Sequence, residues 1–219
     1  MSEFKKRIIT SFFLLLLIFF SFLNYKSLSF FLFILIFITL FELHNIFKKI
    51  YKKKYFLIFV ANILSVIYLG YFSITIMLFL SEGFIINKFV VLYLLIICIL
   101  TDIGGYVFGK IIGGKKLTRI SPNKTYSGSA GSFLLSILIG YVFFKLLSDL
   151  FFLNINIFIL IIIISFISQF GDLFISLLKR KAKIKDTGSI LPGHGGVLDR
   201  IDGILFALPI GLLIIKMYS

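Results

Sequence analysis

The stretch YFLIFVANILSVIYLGYFSITIMLFL, residues 55–80, runs for 26 positions without a charged side chain. A helix of about 20 apolar residues crosses the ~30 Å hydrocarbon layer of a bilayer, so this run can span one, tilted or broken near Gly70. A helix at the surface of a water-soluble domain needs a polar face, and too little polar matter remains here to make one. Working outward, comparable runs lie at 8–23, 28–47, 89–109, 128–147, 151–178 and 201–215, giving about seven passes. The composition agrees, with 60% hydrophobic residues, 29 Phe and no Trp. In lipid the backbone must satisfy its own hydrogen bonds, and runs of this length do so as helices. The expected fold is therefore all-α, a polytopic integral membrane protein forming a single membrane-embedded domain over residues 1–219.

A net charge of +14 raises nucleic acid as a partner, but the position of the charges excludes it. Nineteen of the 23 cations fall on one side of the predicted spans: the amino-terminal group at Lys5, the lysines at 48–54, the loop 110–127 and the loop 179–200. Lys26, Lys88, Lys145 and Lys216 make up the other side. The positive-inside rule then sets the amino terminus in the cytoplasm and the carboxyl terminus outside, in the cytoplasmic (inner) membrane of a cell. The basic start resembles a signal peptide, but FFSFLNYK offers no small-residue cleavage site, so the first run is read as a retained span. Cys98, the single cysteine, is read as a packing residue. Phe30, Phe31, Phe33 and Phe37 are read as lipid-facing or packing side chains.

Against this background the segment SLLKRKAKIKDTGSILPGHGGVLDRID, residues 176–202, stands out. It holds six cations, a histidine, four glycines and three aspartates between two apolar runs. Cations and glycine turns suit phosphate groups, and closely spaced aspartates suit a divalent metal. Three acids lie inside spans, Glu42, Asp102 and Asp172, where each costs ~2.5–3.5 kcal/mol at mid-membrane. Asp102 precedes Lys110 by eight residues and Asp172 precedes Lys179 by seven, so both sit roughly 10–12 Å from the basic end of their helices. Gln169, Asp172, Ser176, Lys179 and Lys183 recur at spacings of three and four, one continuous helix face. Asp199 and Asp202 are three apart, and two carboxylates so close repel unless a proton or cation sits between them. The second basic loop carries SPNKTYSG, residues 121–128, with hydroxyls, a lysine and a proline-fixed turn ahead of a helix, a clamp suited to phosphate or a nucleotide.

These segments closely resemble the CDP-diacylglycerol synthases, or phosphatidate cytidylyltransferases. The family signature S-x-x-K-R, then K-D-x-G, then P-G-H-G-G-x-x-D-R-x-D is met from Ser176 through Lys179, Arg180, Lys185, Asp186, Gly188 and Pro192 to Asp202. Residues 121–128 resemble its S-P-x-K-T-x-x-G element. The stretch from Asp102 to Lys110 resembles D-x-x-A-Y-x-x-G-[RK], with Gly105 in place of the alanine. The matching segments span Asp102 to Asp202, and the resemblance makes 101–219 the catalytic core. Residues 1–100 are divergent, read as shortened amino-terminal helices that match only in hydrophobic character and at Glu42, whose role is open.

The resemblance implies the reaction of CTP with phosphatidate to give CDP-diacylglycerol and pyrophosphate at the cytoplasmic leaflet, within phospholipid biosynthesis. It implies a metal site of Asp172, Asp199 and Asp202 for Mg²⁺ or a similar divalent cation, with a second cation allowed. Lys179, Arg180, Lys185 and Arg200 join those aspartates as catalytic candidates. Asp102, Ser121, Lys124, Thr125, Ser176, Gly193, His194, Gly195 and Gly196 are the candidates for holding substrate and phosphate. The partners implied are CTP, phosphatidate, membrane lipid and, as an allowed assembly, a homodimer. Two rivals are a CTP-dependent polyprenol or phytol kinase, which would move the γ-phosphoryl group, and a transporter, whose acids should line a route across the bilayer rather than crowd one side.

Overall fold

A computed structural model describes residues 3–118, 120–147 and 156–218, with the side chains of residues 3, 4, 6 and 7 left aside. Seven helices follow one another among the described residues: α1 (Glu3–Ser21), α2 (Tyr25–Tyr51), α3 (Tyr55–Ser81), α4 (Phe84–Ile111), α5 (Tyr126–Leu146), α6 (Ile157–Lys181) and α7 (Leu198–Tyr218). No strand forms among them; two isolated bridges, Lys116–Thr125 and Leu191–Gly195, are the only extended pairings there. Helices α2 to α7 are each long and apolar enough to cross a membrane, which makes this a polytopic membrane protein. The apolar part of α1, Ile8–Ser21, is shorter than the rest. The run at 55–80 is one unbroken helix: Gly70 interrupts nothing, and a side chain there would meet no atom within 4 Å. The start of the run predicted at 151–178, together with Arg119 and Asp149, lies outside the described residues.

Local chemistry sets the helix ends. Asn24 caps α2 by accepting from the Ser27 amide at 2.8 Å, and Thr125 caps α5 by accepting from the Gly128 amide at 3.0 Å. Lysines or arginines close α2, α4 and α6 in their last turns, where the partial negative charge of the helix end favours them. After α6 the chain leaves through a left-handed Lys183, φ 55°; the Ile184 amide donates to Lys179 O and the Lys183 amide to Arg180 O. Lys183 therefore departs from the helix face on which the periodicity of 169, 172, 176 and 179 had placed it. The physical reason is this exit turn, which ends α6 at Lys181.

The described chain divides into two compact units, residues 1–84 with 178–201, and residues 85–177 with 202–219. In the first, α2 packs on α3 and α1 on α2. The buried face of α2 carries Leu28, Leu32, Thr39, Glu42, Leu43, Ile46 and Phe47, while Phe30, Phe33 and Phe37 point outward and are about two-thirds exposed, as lipid-facing side chains are. Helices α1 and α2 run antiparallel. At one end the Ser27 hydroxyl donates to Ser21 O; at the other, Thr10 and Glu42 both reach the segment 178–201.

In the second unit, α5 buries a stripe of small residues, Gly128, Gly131, Ser132, Ser136 and Gly140, and helix backbones meet there. A Cβ added at Gly104 of α4 would lie 2.5 Å from Gly131 O, and one added at Gly171 of α6 would lie 2.7 Å from Asp202 O of α7. Hydroxyl bonds tie the helices together: Ser132 Oγ donates to Thr101 O at 2.7 Å, and Thr101 Oγ1 to Ser165 Oγ at 3.0 Å. Cys98 is buried in this packing and forms no disulfide.

Candidate functional site: a lined cavity and a glycine turn

Within the second unit a cavity of about 290 Å³ opens between α4, the loop ahead of α5, α5 itself and α6. Asp102, Ser121, Lys124, Thr125 and Asp172 line it together, as do Gly105, Tyr106, Ser129 and Gln169. The two intramembrane aspartates and the SPNKT segment, read separately in the sequence, thus meet around one space. The bridge from Lys116 to Thr125 folds the loop back on itself, and the Lys124 amide donates to Ser121 O at 3.0 Å. That turn aims Lys124 at Asp172, with which it forms an ion pair, and Ser176 Oγ donates to the same carboxylate at 3.3 Å. Gln169 accepts from Ser129 Oγ at 2.6 Å, and its amide nitrogen, shielded from solvent, has no partner among the described residues. A buried donor left unpaired carries a cost that a ligand's acceptor would relieve. The cavity therefore offers a lysine, two carboxylates, hydroxyls, a helix amino terminus and a spare amide donor, a set suited to a polar, hydrogen-bonding ligand.

The first unit holds the glycine turn, and here most hydrogen-bonding capacity is consumed internally. Lys179 Nζ meets Asp199 Oδ1 at 2.7 Å. Asp199 Oδ2 accepts from the Thr187 amide at 2.8 Å and the Gly196 amide at 3.0 Å, and lies 3.0 Å from Thr187 Oγ1, whose one proton it shares with Glu42. Gly193 and Gly195 take φ of 78° and 83°, the left-handed region that side chains resist, and the turn closes through the Leu191 amide on Gly195 O. His194 lies against α1: its Nδ1 is 2.6 Å from Thr10 Oγ1 and its Nε2 3.3 Å from Ser11 Oγ. Arg200 folds over the turn, with Nε and a terminal nitrogen donating to His194 O at 3.2 and 2.8 Å. Arg180 and Lys185 are exposed. The Gly196 amide, expected to serve phosphate, is used within the turn by Asp199.

The predicted metal ligands have suitable donor chemistry, hard carboxylate oxygens, but their surroundings are not those of a ready site. Asp172 is paired with Lys124 and Asp199 with Lys179, while Asp202, only 9% exposed, accepts from the Gly203 amide at 2.8 Å. Among the described residues no three His, Cys, Asp or Glu side chains gather as metal ligands. As the chain stands, lysine ammonium groups neutralise two of the three carboxylates.

Several residues of these clusters escape sequence reading. Glu42 was visible as an acid in an apolar run and as a position shared with the family, but with no role attached. Thr187 occupies the unspecified position of K-D-x-G, and Thr10 and Ser11 sit in the divergent part of the chain with nothing local to mark them.

Comparison with known proteins agrees with the geometry. Over 134 residues the chain is 44% identical to the phosphatidate cytidylyltransferase of Staphylococcus haemolyticus, covering 58% of this chain and 49% of that one. It is 37% identical over 138 residues to the phosphatidate cytidylyltransferase of Bacillus subtilis, covering 61% and 51%. With that of Rickettsia bellii it shares 42% identity over 153 residues, covering 66% and 65%. The chain thus matches about half the length of the first two relatives and somewhat more of the third. The sequence profile of the cytidylyltransferase family matches residues 5–218, nearly the whole of it, and the chain belongs to that family.

Proposed function

We propose that the protein transfers a cytidylyl group from CTP to phosphatidate, forming CDP-diacylglycerol and releasing pyrophosphate. One observation carries the reading: in a chain of the cytidylyltransferase family, the cavity gathers Ser121, Lys124 and Thr125 at the start of α5 with Asp102 and Asp172. The lipid phosphate is already an anionic nucleophile, so no general base is needed to activate it. A new P–O bond forms between that oxygen and the α-phosphorus of CTP, while the bond from the α-phosphorus to the bridging oxygen breaks. Pyrophosphate leaves with the electron pair. Two obstacles dominate, the repulsion between two polyanions and the charge that develops on the leaving group. Lys124, Lys179, Arg180, Lys185 and Arg200 supply positive charge against both, and Ser121 and Thr125 supply hydroxyl donors. Lys124 and Lys179 would turn from Asp172 and Asp199 to substrate phosphates as these enter.

A divalent cation belongs to the proposal as the counter-charge that accompanies the triphosphate, with Asp172, Asp199 and Asp202 as its candidate ligands once the lysines have moved. The basic ends of α2, α4 and α6 would face the cytosol in the cytoplasmic membrane, where CTP and the inner-leaflet lipid meet.

The test follows atoms. With purified protein, phosphatidate and Mg²⁺ in detergent, label at the α-phosphorus of CTP is expected in the lipid and γ label in pyrophosphate. Label from the γ position in the lipid, with CDP released, would make the protein a kinase. Incorporation of neither would remove the transferase reading.

A further inference from the structure

Helix α7 begins without a cap of its own. Val197, the residue before it, has an aliphatic side chain that cannot accept a hydrogen bond, yet the first amides of a helix need acceptors. The acceptor comes from far away in the sequence. Glu42 of α2, 1% exposed, receives the Val197 amide on Oε1 at 2.9 Å and the Leu198 amide on Oε2 at 2.9 Å. The Thr187 hydroxyl lies 2.8 Å from Glu42 Oε2 and 3.0 Å from Asp199 Oδ2, so its one proton is shared between the two carboxylates. The turn is built to admit Glu42. A Cβ at Gly188 would stand 2.6 Å from Glu42 Oε1, and one at Gly196 2.7 Å from it. Neither glycine takes a positive φ, so it is the acid, not the backbone conformation, that requires them.

We propose that Glu42 is a positioning residue, which caps α7 from α2 and, through Thr187, holds Asp199 against Lys179 and fixes the glycine turn. A carboxylate suits this place because it accepts from several donors at once and carries the negative charge that a helix amino terminus favours. A glutamine of the same size cannot do so: its amide nitrogen would face donors already present, and one of the cap bonds would be lost. The consequence is specific. Misplacing the turn should weaken the grip on a substrate phosphate, whereas a loss of folded protein lowers the rate at saturation and leaves KM alone.

The inference rests on the cytidylyltransferase reading, and two measurements on the full chain in detergent keep the two apart. The first is trypsin cleavage after the exposed Lys181, Lys183 or Lys185, which reports the turn without any activity. Glu42→Gln is expected to speed cleavage several-fold, with Glu42→Asp, which keeps the charge, closer to the parent. The second is steady-state kinetics, in which Glu42→Gln should raise KM for CTP or for phosphatidate by about tenfold and Glu42→Asp should restore most of it. Should Glu42→Gln fail to fold, Thr187→Val carries the test, since it removes only the bridging hydroxyl and should move both readouts the same way by less. An active parent whose variants keep the parental cleavage rate and both parental KM values overturns the proposal. A parent that makes no CDP-lipid, while Glu42→Gln still loosens the turn, overturns the reaction and supports the role of Glu42.

Discussion

The glycine turn and the cavity are both rich in charge, yet they treat it in opposite ways. In the turn, Asp199 accepts from a lysine and two amides, Glu42 accepts from two amides, and the two carboxylates share the proton of one hydroxyl. In the cavity, Asp172 is paired with a partly exposed Lys124, and the Gln169 amide nitrogen has no partner among the described residues. A group whose acceptors are filled by its own chain is a fixed part of the structure. A group with spare capacity beside an open space is free to meet a ligand. The comparison teaches that charge here divides into carboxylates held by their own chain and groups with capacity to spare, and that mutations should sort accordingly; the metal role proposed for Asp199 requires Lys179 to leave it first.

The largest expected effect is that of Asp199→Asn. The substitution keeps size but removes the charge that pairs with Lys179 and turns an amide nitrogen toward groups that already donate, so it should lower activity by a factor on the order of 10³ and destabilise the fold by about 3 kcal/mol or more. Activity by α-label transfer and thermal unfolding in detergent read the two losses. Lys124→Met comes next. Its partner is partly exposed, so stability should change by less than about 1 kcal/mol while activity falls about 10²-fold. If Lys124→Met melts as early as Asp199→Asn, the cavity is scaffold too and the contrast fails. The smallest effect compares two glycines. Gly196→Ala must push against Glu42 and Thr187 and should cost about 1–3 kcal/mol, whereas Gly70→Ala, with open space around it, should be neutral or stabilise α3 by about 0.5–1 kcal/mol. Equal melting of the two would mean that the turn can yield, and would blunt the distinction.

Much of the site was legible beforehand. Asp102 and Asp172 could be placed at related depths because each lies a countable number of helical residues from a basic end, and the cavity brings them together with Lys124. Lys183 was misplaced because periodicity carries no notice of where a helix stops, and a left-handed exit at a lysine is not a pattern that composition announces. His194 was read as a phosphate contact from its glycine and cation neighbours; its bonds to Thr10 and Ser11, more than 180 residues away, have no local trace.

The sequence by itself determined that this protein lives in a membrane as a series of helices, that its cations sort by loop, and that its candidate site residues gather in two polar segments and the acids beside them. Those conclusions depend on run length, periodicity and solvation cost, which are properties of the chain read one neighbourhood at a time. Only the tertiary structure decided which acids are saturated and which remain available. That depends on the donors brought to each carboxylate, and for Glu42 these are amides of the turn and α7 more than 150 residues further on, supplied by packing rather than by proximity in the chain.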